Sequence, residues 1–552
     1  MRRELGFALF CLLIYVISGT GVVTHVDGVV YYALARRMVD NATFSLDRGD
    51  PALITNPEII TGPDGMGYAH FNPGLPMLIA PLYEIGKVLS PWLPHVSEFT
   101  AADFLVSMTN AVVTTGAVLL VVLLVRELGY PLRAALLAGA ALGFGSMTWN
   151  YATTLFTEPA TGVCVLLSVL LLVRSRRNPR PAQLIFAAGL AAGGALLMRV
   201  SGLVFMPGLA VYLVLAHRRL GWRLIWLLAA FSLGCAVLVA ATGWYNFARF
   251  GNVLETGYTI TTNTAHSSDR NELADGLATR VGGHGLDQIL YALVALLISP
   301  GRGVLLFAPV LILGLLGLPA LARRWPLEAA LLVVLSGSLL VAEAILPFDY
   351  WFGGWSYGPR YLVPMLGLGA VSAAAWFARV SRGPAIGLLG GGVLALMVAL
   401  QLPTVLANVN TTYYRAQVAR GTPLDHVYLV ESWQASTYVG AWLESALVTQ
   451  RTLRGQPVPR GRLGDFQDPS AALEQSEVLN TFQPWWLRLA QTGRLVGAAR
   501  LGMFGLVGML LVAAALALRV ATGASLLRPS RRSDRPATIG IHVDRLEERG
   551  SA

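Results

Sequence analysis

Stretches of about twenty apolar residues recur along this 552-residue chain, each long enough to cross a hydrocarbon core of roughly 30 Å. In lipid every backbone N–H and C=O must be satisfied within its own segment, so such runs fold as helices. The pattern predicts helices near 6–23, 101–125, 131–148, 157–174, 181–198, 200–216, 222–244, 303–322, 326–346, 362–379, 385–406 and 497–519. That is an all-α polytopic membrane protein with about twelve transmembrane helices. The first run, Gly6 to Val23, has no convincing small-x-small cleavage site after it and is read as a span that stays.

Charge orients the spans. Residues 174–180, His217 to Arg219 with Arg223, Arg323 with Arg324, and 379–382 are short basic loops that fall on the same side as the amino terminus in this count. By the positive-inside rule that side is cytoplasmic, as is the basic tail around Arg528 to Arg535. The net charge of +10 is therefore a topology signal and not a nucleic-acid patch. Cys11, Cys164 and Cys235 all lie in apolar runs, which excludes a disulfide framework and a thiolate metal site.

The polar segments then gather on the extracytoplasmic side: outer loops 24–100, 245–302 and 347–361, the turn 149–156, and the segment 409–496. Residues 286–298 are apolar but too short to cross and read as a re-entrant or interfacial helix. The organisation is a transmembrane region over 1–408, the outer segment 409–496, a last helix at 497–519, and a disordered basic tail at 520–552.

Three constellations carry candidate chemistry. Asp27 opens an amphipathic stretch containing Tyr31 and Tyr32, and a carboxylate at the membrane boundary can act as a base toward a hydroxyl; a helix N-cap is the plainer reading. Glu158, followed by Pro159, opens the fourth span, where an acidic residue also complements the helix dipole. The turn from Asp349 to Tyr361 is dense in aromatics around Arg360; Trp355 and Tyr357 suit a sugar's C–H faces and the guanidinium suits a phosphate. An interfacial aromatic belt is the plainer alternative, but Gly353, Gly354 and Gly358 argue for a shaped turn. Arg249, Arg302 and His70 are further phosphate-binding candidates.

Asp27-Gly-Val-Val-Tyr-Tyr, Pro73-Gly-Leu-Pro, Thr157-Glu-Pro, Asn246-Phe-Ala-Arg-Phe-Gly and Trp355-Ser-Tyr-Gly-Pro-Arg-Tyr, in that order, resemble the GT-C superfamily of membrane glycosyltransferases. Protein O-mannosyltransferases and lipid A aminoarabinose transferases belong to it. The resemblance covers roughly residues 1–410 and implies helices lying along the outer surface between the first two spans, with polyprenyl-phosphate sugars as donors. It implies that Asp27 is the first-loop catalytic acid and Glu158 the second acidic position, where an aspartate is often seen. His70 stands where some members carry a lysine, and no paired Asp-Glu follows the first span, which argues against a protein acceptor.

The expected reaction moves a sugar from polyprenyl phosphate to a lipid-linked or cell-envelope hydroxyl. Asp27 orients or deprotonates the acceptor, and Arg360 with Arg302 or Arg249 stabilises the departing phosphate. No cofactor is required by the residues, while a divalent cation, Mg²⁺ or Mn²⁺, stays open and its ligands unassigned. The rivals are a transporter or flippase of a lipid-linked or anionic solute, and an envelope assembly scaffold using 409–496 with Trp433, Trp485 and Trp486. Against transport, polar residues collect on one face and the hydropathy shows no inverted repeat.

Overall fold

A computed structural model of the chain describes residues 1–23, 25–47, 49, 53, 56, 58–92, 100–257, 285–345, 351–380, 384–409, 412–413, 416, 420, 425–453, 484–491 and 497–522. Most of the expected outer segment 409–496 and nearly all of the tail 520–552, with Asp349, lie outside the described residues.

Helices α1 (Arg2–Ser18) and α2 (Val26–Asn41) open the chain, and α3 (Gly74–Leu89), α4 (Ala101–Ser107), α5 (Thr109–Glu127), α6 (Leu132–Gly143) and α7 (Thr148–Ala152) follow. Next come α8 (Glu158–Ser175), α9 (Pro181–Met198), α10 (Phe205–His217), α11 (Leu224–Phe250), α12 (Gly285–Ile298) and α13 (Val304–Phe307). The rest are α14 (Val310–Arg324), α15 (Pro326–Ile345), α16 (Val363–Val380), α17 (Pro384–Leu406), α18 (His426–Glu431), α19 (Thr437–Leu453), α20 (Trp485–Gln491) and α21 (Ala498–Thr522).

Every expected span coincides with a helix, but their number is not established at twelve. Among the described residues eight helical runs are long and apolar enough to cross a membrane, and one of them, Val200–Phe250, is a 51-residue run containing both α10 and α11. Helices α1, α6 and α14, at 17, 12 and 15 residues, are shorter than a typical span. The run expected at 303–322 is interrupted at Ala308 and Pro309, because proline has no N–H to give a preceding turn. The short helix expected at 286–298 is present as α12.

Small residues let the helices approach closely, the usual basis of packing where lipid removes the hydrophobic drive. A methyl group on Gly189 would stand 2.1 Å from the Phe231 carbonyl oxygen, and one on Gly234 would stand 2.2 Å from that of Phe186, so α9 and α11 meet backbone to backbone. Gly317 on α14 meets Ser372 on α16 in the same way.

The outer loop 24–100 holds one feature absent from the all-helical expectation. β1 (Ser45–Leu46), β2 (Ile59–Thr61) and β3 (Gly67–Ala69) form an antiparallel sheet in the order β1-β3-β2, with Tyr68 paired to Ser45 and Ile60. Strands of two or three residues are too short to show an alternating pattern.

The basic loops converge on one end of the bundle. Arg324 stacks over Tyr130 at 5.4 Å, Arg177 over Trp325 at 5.4 Å, Arg174 pairs with Glu127 at 3.1 Å, and Arg176 pairs with Glu328. Gly6 of α1 and Val520 of α21 meet at this same end. At the other end the tryptophans of α20 close α1: Trp485 and Trp486 each donate an indole N–H, to the carbonyls of Val16 and Ile17, both at 3.0 Å. A helix leaves its last four carbonyls without partners, and these two indoles supply two.

Candidate functional site

The end of the bundle away from the basic loops gathers charged side chains from several helix termini: the start of α2, of α8 and of α16, and the finish of α9 and α15. Asp27 sits in the first turn of α2, but the N-cap residue is His25, whose side chain makes no capping bond. The Asp27 carboxylate reaches across the fold, and Arg360 Nη1 donates to its Oδ2 at 2.8 Å from 333 residues away. Arg360 Nε stands 3.9 Å from Glu158 Oε1, which also accepts from Arg199 Nη1 at 2.5 Å. Two carboxylates and two guanidiniums thus alternate as Asp27, Arg360, Glu158, Arg199.

The local sequence explains how each member is held. Asn110 donates to the Thr154 and Phe156 carbonyls at 2.6 and 2.9 Å, which fixes the loop that delivers Glu158. Gly353, Gly354 and Gly358 have φ of 84°, 62° and 62°, left-handed values that side chains resist, and they fold the turn that delivers Arg360. Tyr361 accepts from Arg360 Nη2 at 3.0 Å, while Arg199 lies 3.8 Å over its ring. Phe156 supplies a second face, 5.1 Å from the Arg360 guanidinium.

A second pair completes the cluster. His70 follows β3, and its Nδ1 is 3.1 Å from Glu58 Oε2; its backbone N–H also donates to the Glu58 carbonyl at 3.1 Å. Burial, and then the charge of Asp27, push the Glu58 carboxyl up to about 8, partly opposed by Arg360. Burial holds the imidazoles of His70 and His25 down at about 4 each, against the pull of Asp27. Glu343, 1% exposed in the last turn of α15, lies within electrostatic reach of Arg199 and Glu158. Desolvating so many charges costs several kcal/mol for each ion and is only partly repaid by pairing, so such a cluster marks a site and not a stabilising core.

Of the residues singled out in the sequence, Asp27, Glu158, Arg360 and His70 come together here. The others build the frame around them. Arg302 is fully buried and donates from its Nη atoms to the carbonyls of Gly301, Gly354, Ser356 and Gly358 and to the Tyr413 hydroxyl, so it shapes the Arg360 turn, while its Nε has no hydrogen-bond partner among the described residues. Arg249, 3% exposed, donates to the carbonyls of Ala69 and Tyr245 and to Asn246 Oδ1, which moors β3 and His70 to α11. Tyr357 is buried with its hydroxyl on Gln401 at 3.1 Å, and Trp355 stacks on Tyr413 with ring centroids 5.4 Å apart. Tyr31 packs on Phe71 at 4.4 Å, and Tyr32 donates to Asp103 at 2.9 Å.

Sequence reasoning passed over Glu58, Arg199 and Glu343. For the last two a signal existed, because a charged residue within or between apolar runs is a functional pointer by default. Among the described residues no group of three or more His, Cys, Asp or Glu side chains is arranged to hold a metal ion.

Comparison with known proteins adds a family. Residues 98–244 match the family described as dolichyl-phosphate-mannose-protein mannosyltransferase. That stretch runs from α4 into α11 and carries Glu158 and Arg199, and the resemblance to membrane glycosyltransferases is shown over it. No curated protein matches the chain. Among solved structures, ArnT from Cupriavidus metallidurans bound to undecaprenyl phosphate is 16% identical, with 89% of this chain and 77% of that one covered and a TM-score of 0.46. The Archaeoglobus fulgidus oligosaccharyltransferase in complex with Zn and sulfate is 14% identical, with 86% and 57% covered and a TM-score of 0.44. The arabinosyltransferase EmbB from Mycobacterium smegmatis is 12% identical, with 95% and 43% covered and a TM-score of 0.37.

Proposed function

We propose that this protein transfers a sugar from a polyprenyl-phosphate donor to a hydroxyl on a lipid-linked or cell-envelope acceptor, at the extracytoplasmic face of the plasma membrane. The observation that carries the reading is the Asp27–Arg360 pair at 2.8 Å, a carboxylate and a guanidinium side by side at the end of the bundle opposite the basic loops. If those loops are cytoplasmic by the positive-inside rule, both chain ends near Gly6 and Val520 are cytoplasmic too.

In this mechanism the acceptor hydroxyl loses its proton to the Asp27 carboxylate as its oxygen attacks the sugar's anomeric carbon. The bond from that carbon to the phosphate oxygen breaks, and its electron pair stays on the phosphate. Arg360 meets the charge that develops there: its Nε has no hydrogen-bond acceptor among the described residues, which leaves one donor for a phosphate oxygen. Asp27 then returns its proton to water. Glu158 and Arg199 hold Arg360 in place, and the two guanidiniums supply the neutralising charge without a resident metal.

The test is transfer from a panel of radiolabelled polyprenyl-phosphate sugars to crude envelope acceptors by protein in nanodiscs, with no ion gradient. Asp27→Asn is expected to lower turnover by about a thousandfold at near-normal expression, the scale on which loss of a catalytic base or oxyanion partner is felt. EDTA is expected to leave the wild-type rate within about twofold, a change far below that scale. A folded, fully active Asp27→Asn protein removes the catalytic assignment. Failure of folded wild type across the panel moves the reading toward transport.

A further inference from the structure

The arginines of the basic end fall into two groups. Arg174 and Arg177 pair with Glu127, Arg176 pairs with Glu328, and Arg324 lies over the Tyr130 ring. Arg218, Arg219 and Arg223 belong instead to a 3-10 turn, Arg218–Arg223, that joins α10 to α11, and all three are exposed. None of the three has an ion pair, a side-chain hydrogen bond or a ring contact among the described residues. The 51-residue run from Val200 to Phe250 that contains the turn carries no Asp or Glu, so its positive charge has no internal counterpart.

The turn is anchored at its base and open at its tip. His217, 8% exposed, meets the Ser175 hydroxyl of α8 through Nε2 at 3.0 Å, and Tyr212 of α10 donates to Glu328 of α15 at 3.0 Å. Gly221 takes a φ of 56°, and a methyl group on it would meet nothing within 4 Å, so no described residue closes over the tip. The apolar side chains are uncovered too: Trp222 is 73% exposed, and Ile225 and Trp226 at the start of α11 are 64% and 65% exposed. On a spanning helix such side chains face lipid, and an indole at the helix end sits at headgroup depth. The three guanidiniums therefore stand at the level of the lipid phosphates, beside a surface that acyl chains cover. A zwitterionic lipid brings its own cation to its phosphate, whereas an anionic lipid leaves its charge for a guanidinium to meet.

We propose that the turn Arg218–Arg223 is a docking site for anionic phospholipid in the leaflet at the basic end, with Arg218, Arg219 and Arg223 on the headgroup phosphates and Trp222 and Trp226 against the glycerol and upper acyl chains. The site is independent of the reaction performed at the other end of the bundle.

The experiment holds the full-length protein in micelles of equal phosphatidylglycerol and phosphatidylcholine and measures by mass spectrometry the ratio of the two lipids that stays with it. Wild type should favour phosphatidylglycerol by about fivefold or more at low salt, the worth of one arginine near an anionic surface. The triple variant Arg218→Gln/Arg219→Gln/Arg223→Gln should bring the ratio close to one. Arg219→Gln alone should lower it, while Arg174→Gln, which removes the same charge from the same end but one already paired with Glu127, should not. A wild type without preference overturns the proposal, and so does an equal fall in Arg174→Gln, which would assign the preference to the diffuse charge of the whole end. A measurement on wild type alone covers the case of variants that do not fold: in 1 M salt, where the screening length falls from about 10 Å to about 3 Å, the preference should vanish, and its persistence overturns a site built on charge. Soluble glycerophosphoglycerol, at the concentration of the lipid, should leave the ratio unchanged; displacement by it would show that the turn takes free phosphodiesters and would overturn lipid docking.

Discussion

The two ends of the bundle use the same residue types in opposite ways. At the basic end, the side chains of Arg174 and Arg177 keep 39% and 61% of their exposure while pairing with Glu127, which keeps 22%. At the other end, Arg360 and Arg199 fall to 16% and 14%, and the residues Arg249 and Arg302 are buried outright. An exposed ion pair in high dielectric contributes about 0–1 kcal/mol, whereas a buried charge stripped of its partner costs about 3–5 kcal/mol. The first kind dresses the basic loops. The second kind fixes geometry, and it is found at the candidate site.

That contrast can be broken by measurement. Its strongest form predicts that Arg302→Met lowers the unfolding free energy by about 3 kcal/mol or more, because several buried acceptors around the Arg360 turn lose their donor together. A thermal melt in detergent within a degree of wild type would show that the turn holds itself. Next in size is acid sensitivity. The His25 and His70 imidazoles titrate near 6.5 when unfolded and near 4 when folded, so the stability they confer is present above pH 6.5 and lost as pH falls toward 4. Melts at pH 7 and pH 4.5 should show this loss in wild type and a smaller one in His25→Phe; equal losses would remove His25 from the account. The smallest effect belongs to the basic end, where Arg174→Met should change stability by under about 1 kcal/mol, and less still at high salt. A cost matching that of Arg302→Met would erase the distinction between the ends.

How far the sequence carried the reading follows the range of each signal. Apolar runs report on their own residues, so the spans were legible, and so was the glycine-rich turn at 353–358, whose left-handed backbone the glycines announce. Asp27 and Glu158 were legible as helix-start carboxylates, and Arg360 by its aromatic surroundings. What no local pattern showed was the partnership, since Asp27 and Arg360 are 333 residues apart. Nor did it show the carbonyls that Arg302 and Arg249 meet: an arginine beside glycines looks alike whether its donors meet carbonyls or a ligand. Glu58 was invisible because its neighbouring strand is three residues long, and only the folded sheet sets it against His70.

The indoles that close α1 have a consequence for how the protein is made. α1 is made well before α20, and the carbonyls of Val16 and Ile17 meet Trp485 and Trp486 only after a further 469 residues have been added. Until then the finish of α1, and the short loop from it to His25 and Asp27, lack their last fastening. Biogenesis therefore has a built-in order: the end that holds the candidate site is secured by α20, made after the helices that build that site, and a nascent chain stopped short of residue 485 lacks this fastening.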